Sequence, residues 1–164
     1  MSSPALSGAA DSLGATVRAL FAELRHGGMQ PEVPGALGGR GPAPSLPTGS
    51  VQRLLVGEAG RRREGTEVRF RLRVSGGRII EARYQAYGCP YTLATCEWLA
   101  RRLPQLPPLP EPSQACAAQG SAWAALQGLL GGALSWAEQL EIPPDRLERL
   151  LIIEDALRRA IEPL

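Results

Sequence analysis

The sequence contains no lysine and no asparagine, so apart from one histidine every basic side chain is an arginine. Both missing residues use AT-rich codons, and a GC-rich genome accounts for the absence without a special role for arginine. No long uninterrupted apolar run is present, which leaves no candidate for a membrane-spanning helix. The N-terminus lacks a basic stretch followed by an apolar one, so no secretory signal is expected and the cytoplasm is the expected compartment. Three cysteines without framework spacing predict free or metal-bound thiols rather than disulfides. There is no CxxC, HExxH, GxGxxG or P-loop. The one histidine, His26, is far along the chain from any nucleophile, so there is no Ser/His/Asp set and no enzymatic activity is expected. A net charge of +2 gives no reason to expect nucleic acid or an anionic membrane as partner.

What is present fits one domain with a modest core: 164 residues, 44% of them hydrophobic. Between Asp11 and His26, Leu13, Val17, Leu20 and Leu24 recur at helical spacing, with Asp11 or Ser12 to cap the start and Gly27-Gly28 to end it. Residues 28–50 are rich in Gly and Pro and read as a flexible connector. Residues 1–50 therefore form an N-terminal helix and connector, and 51–164 an ordered α+β domain. That domain opens with a short strand in "VQRLLVGEAG" and a polar turn at Arg61–Gly65. "TEVRFRLRVSGG" alternates strictly, with Val68, Phe70, Leu72 and Val74 on one side and Arg69, Arg71 and Arg73 on the other. A hairpin turn at Ser75–Gly77 leads into a return strand carrying Ile80, Ala82, Tyr84 and Ala86 inward. Glu81, Arg83 and Gln85 face the arginine row, which reads as a solvated face.

Helices follow. One covers Thr92–Leu103, one covers Ser121–Leu140 with a break at Gly131-Gly132, and the last follows Pro143-Pro144. In the last, Leu147, Leu150, Ile153 or Glu154, Leu157 and Ile161 follow the helical period, and Glu154–Arg158 and Asp155–Arg159 are spaced for ion pairs. Strands first and helices after them predict a three-stranded antiparallel sheet with helices on one face.

Cys89 holds the chemistry. Pro90 suits a first helical position, which puts Cys89 near the helix N-cap. Unpaired N–H groups and the helix dipole there favour a thiolate, a better nucleophile and a better ligand; the competing reading is a buried thiol acting as a small hydrophobe. Cys96 shares the helix stripe with Leu93, Leu99 and Leu103 and reads as packing. Cys116 follows the proline-rich loop with no chemistry attached, and His26 complements a helix C-terminus.

The hairpin, then "YGCPYTLAT", then "LEIPPDRLERLLIIEDALRRAI" resembles the iron–sulfur cluster scaffold family of IscU and the NifU N-terminal domain, over about residues 51–162. The resemblance implies a SufE/NifU-like fold and an exposed site at one end, built from three cysteines and an aspartate or histidine, for an iron–sulfur cluster or zinc. The family's first cysteine lies in an Ala-Cys-Gly-Asp loop; here that loop reads "REGT", with Glu64 at the cysteine and Thr66 at the aspartate. The second cysteine is Cys89. The third falls on Arg149, with Glu148 at the preceding histidine. One ligand cysteine of three is kept. Cys89, Glu64 and Glu148 are the metal-ligand candidates that remain, and one thiolate with two carboxylates is a harder site, suited to single iron or zinc ions. Arg149 would bring a positive charge there, either pairing with a glutamate or favouring a reactive thiolate. The family's Hsp70-type chaperone motif corresponds to Ile142–Arg146, with Asp145 in an apolar place.

Three functions follow. One is a divergent iron–sulfur assembly scaffold, with Cys89 binding a metal, accepting sulfur or sharing a cluster with a second subunit or another protein, and a cysteine desulfurase among its partners. Another is a metal-free interaction or regulatory module on the same fold. The third is a single-cysteine thiol enzyme or redox sensor, which lacks a base and a resolving cysteine.

Overall fold

The computed structural model describes residues 14–25, 27, 52–109 and 122–162. Among these the expected α+β architecture is found. Helix α1 (Ala15–Ala22) is followed by strands β1 (Gln52–Arg61), β2 (Thr66–Ser75) and β3 (Arg78–Tyr87). Helices α2 (Pro90–Arg102), α3 (Ala122–Leu130), α4 (Ala133–Gln139) and α5 (Leu147–Ile161) complete the order. The expectations placed on Asp11, Ser12, Leu13, His26, Gly28, the 28–50 connector, Cys116 and Ser121 lie outside the described residues.

The strands form one antiparallel sheet in the order β1-β2-β3. β1 is a full ten-residue strand rather than a short one, because it pairs with β2 from Gln52↔Ser75 to Arg61↔Thr66. The β2–β3 turn is Gly76-Gly77, both at positive φ (53° and 72°), which glycine adopts without a steric cost. The alternation reads correctly in β2, where Val68, Phe70, Leu72 and Val74 are buried. In β3 it is off by one at the start. The register shifts between Arg73 and Val74, so Arg73 faces Glu81 while Val74 faces Ile79. Ile80 is the extra residue of this bulge, and Ile79 takes the core position beside Ala82 and Tyr84.

The opposite face is polar and partly apolar. Arg73 pairs with Glu81 at 3.2 Å and Arg83 with Glu81 at 3.0 Å. Arg69 turns toward β1, donating from Nε to Glu58 at 2.7 Å. Leu54 and Val56 stand exposed on the same face.

The helices cover the apolar face. α5 lies across β1 and β2, α2 packs on β3, and α1 rests on α2. α5 buries Leu150, Ile153, Ala156, Leu157, Ala160 and Ile161. Its approach to β1 is backbone to backbone: a Cβ on Gly57 would stand 2.1 Å from the Ala156 carbonyl oxygen and 2.3 Å from the Ala160 nitrogen. Only Gly against two alanines lets the helix come so close. α3 and α4 are separated at Gly131-Gly132 as the sequence predicts. Trp136 of α4 is fully buried, and its indole N–H donates to the Leu130 carbonyl at 3.0 Å.

The expected Glu154–Arg158 pair is replaced. Glu154 turns to the start of α4, accepting from the Ala133 N–H at 2.8 Å and from Gln127 Nε2 at 3.0 Å. A carboxylate at unpaired helix N–H groups is the better electrostatic match. Arg158 instead pairs with Asp155 at 2.7 Å, and Arg159 meets the same carboxylate at 2.8 Å as predicted. Pro144 opens a 3-10 turn, Pro144–Arg146, and the α-helix proper begins at Leu147.

Candidate functional site

The end of the sheet that carries the family's ligand positions is built by three chain segments. β1 and β2 are joined there by a 3-10 turn at Arg62–Glu64 and by Gly65. β3 finishes with Tyr87 opposite Glu67, so Gly88 and Cys89 leave the sheet at this same end. The first turn of α5 brings Glu148 and Arg149.

Cys89 is the N-cap residue of α2, with extended backbone (φ −76°, ψ 168°) and Pro90 next. Its carbonyl accepts the first helical bond, from Leu93 N at 3.2 Å. The thiol is half-buried, with Sγ 3.5 Å from the hydroxyl of the buried Thr92. The glycine before it has a packing reason. A Cβ on Gly88 would lie 2.8 Å from Thr92 Oγ1, so Tyr-Gly-Cys is what lets the loop close over Thr92.

Glu64 is exposed on the turn and stands 3.9 Å from Arg63. It borders a shallow open depression of about 450 Å³, with Glu58, Gly60, Arg61 and Arg159, whose lining does not include Cys89. Glu148 is exposed on α5. Arg149 reaches neither glutamate. Its guanidinium donates to the Gly65 carbonyl at 2.9 Å and to the hydroxyl of the buried Thr66. Two positions where the family carries ligands, Thr66 and Arg149, are thus hydrogen-bonded directly to each other. Arg149 fastens α5 to the β1–β2 turn. Among the described residues no group of three or more His, Cys, Asp or Glu side chains stands where it could hold a metal ion. A cluster held on three thiolates does not fit this donor set.

A second polar cluster lies inside the helical layer, and the sequence reading missed it. Glu97 of α2 is fully buried, accepts from Arg101 Nε at 2.9 Å and accepts from the Tyr84 hydroxyl at 3.2 Å. Its only sequence signal is the i,i+4 spacing of Glu97 and Arg101. Burial, with the Glu97 charge beside it, pushes the Tyr84 hydroxyl well above the ordinary tyrosine range. The same two causes push the Cys96 thiol up, and Cys96 is fully buried. It is a protonated packing residue, as its place on the helix stripe predicts.

No helix among the described residues is long and apolar enough to cross a membrane. Residues 45–107 match the family model described as NifU-like N terminal domain. A protein of Rubrobacter xylanophilus named bifunctional protein NifU/MnmA is 37% identical over 108 residues, which is 65% of this chain and 19% of that protein. The present chain therefore spans about a fifth of that relative's length. The match covers β1 to β3, the Gly88-Cys89 loop and α2, and over these elements the chain is similar to the NifU-like N-terminal domain.

Proposed function

We propose that the chain serves iron–sulfur cluster assembly as a scaffold-fold module that docks with assembly proteins. In this reading it does not hold a cluster on three ligands of its own. The reading is non-enzymatic and cytoplasmic, and a cysteine desulfurase is the first partner to examine. Cys89 is the one thiol kept at the ligand end. The observation that carries the reading is the Arg149 contact with Gly65 and Thr66, which fills two former ligand positions with a hydrogen-bonded tie. A guanidinium repels a metal cation, and a carbonyl and hydroxyl already accepting from it are poor further donors.

The test is metal and acid-labile sulfide analysis of protein purified without oxygen, beside Cys89→Ala. Size-exclusion chromatography with a purified cysteine desulfurase completes it. The expected result is a complex with the desulfurase and no stoichiometric metal in either protein. Iron with sulfide that disappears in Cys89→Ala would overturn the reading in favour of a one-cysteine scaffold sharing its cluster across subunits. Zinc or iron without sulfide would point instead to a remodelled site of Cys89, Glu64 and Glu148. Neither metal nor complex would remove the assembly role.

A further inference from the structure

Helix α1 is attached to the rest of the domain by unusually little apolar contact. Val17 is its one fully buried side chain and Leu20 is half-buried beside it, while Phe21 and Leu24 are exposed. An eight-residue helix has no stability of its own in water, so something else must hold it. Arg101 of α2 does so from one side chain. Its Nη2 donates to the Glu23 carbonyl at 2.7 Å, at the C-cap of α1. Its Nη1 lies 3.6 Å from the Glu23 carboxylate, and its Nε is fixed by the buried Glu97. Glu97 is in turn fixed by Tyr84. The chain after α1 returns to the same tyrosine: Gly27 forms a parallel bridge to Tyr84, and a Cβ there would stand 3.1 Å from the Tyr84 hydroxyl.

We propose that Arg101 is a latch: it holds α1 and the turn after it as a strap across α2 and β3, and opening it frees the strap as a unit while the sheet and α5 stay folded. Three properties of the site support this. The guanidinium spans two elements, with its inner end anchored in the core and its outer end partly exposed beside an exposed Glu23. The outer bonds go to a helix C-terminus, where a cation is most favourable. Loss of those bonds leaves Val17 and half-buried Leu20 as the apolar anchors of α1. The inference concerns α1 alone and does not depend on the assembly reading above.

Hydrogen exchange followed by mass spectrometry on the full chain tests it, comparing wild type, Arg101→Gln, Glu23→Ala and the double variant. In wild type the amides of α1 should be protected. Arg101→Gln should speed their exchange on the order of tenfold or more, with β2 and α5 unchanged. Glu23→Ala should speed it less, and should add nothing in the Arg101→Gln background. The latch is overturned if α1 is unprotected in wild type, or if Arg101→Gln leaves its exchange unchanged. It is equally overturned if protection falls throughout the protein, which would make Arg101 a core residue. Because Glu23 is exposed, its variant stays folded, so unchanged α1 exchange in Glu23→Ala would overturn the latch on its own, as would additive effects of the two substitutions.

Discussion

Helix α5 meets β1 backbone to backbone, with Gly57 under Ala156 and Ala160, whereas α1 buries Val17, half-buries Leu20 and is fastened at its C-cap by Arg101. Both helices sit in the same layer, yet the seams differ in kind. The α5 seam is apolar at its centre, where it buries six side chains, with Arg149 and Arg159 tying its two ends to the sheet, so it can only form with the core. The α1 seam holds Val17 and half-buried Leu20 and reaches solvent at a polar tie, Arg101 to Glu23. Packing makes an element part of the fold; a hydrogen-bonded tie makes it an attachment.

The contrast breaks first at Gly57. Gly57→Val would drive Cβ into the α5 backbone and should destabilise the whole protein by about 3 kcal/mol or more. A denaturant midpoint measures this, and a near-normal midpoint would mean the seam is not tight. Glu154→Ala sharpens the contrast at intermediate scale. It removes the carboxylate that caps α4 and holds Gln127, and should cost about 1–2 kcal/mol in thermal unfolding. An equal or larger loss of protection in α1 than in α4 would contradict the separation of the two sides. The smallest effect belongs to Phe21→Ala. That ring is exposed on α1, so stability should move by no more than about 0.5 kcal/mol. A larger loss would show that α1 is held by apolar contact after all.

The period-two pattern of β2, the glycine hairpin, the break at Gly131-Gly132 and the stripe of α5 could all be read from the chain, because each depends on local spacing. The details that depend on partners could not. The bulge at Ile80 is invisible in "RII", where either isoleucine satisfies the alternation. Gly57 looks like an ordinary strand glycine until α5 is laid on it. Glu154 has a well-spaced arginine on its own helix and still turns to α4, since helix N–H groups with no other partner outbid an exposed ion pair. At the candidate site, the helix-start position of Cys89 followed from Pro90. Arg149 did not follow from anything local: its partners, Gly65 and Thr66, are more than eighty positions away, as far as the fold that joins them.

The placing of Glu154 has a mechanical consequence. Its carboxylate holds Gln127 of α3 with one oxygen and the first N–H of α4 with the other, while its own backbone belongs to α5. One turn and a half earlier on the same rod, Arg149 grips the β1–β2 turn. Turn, rod and helix corner are thus joined through a single helix, so the β1–β2 turn and the α3–α4 corner share one support although the chain separates them widely.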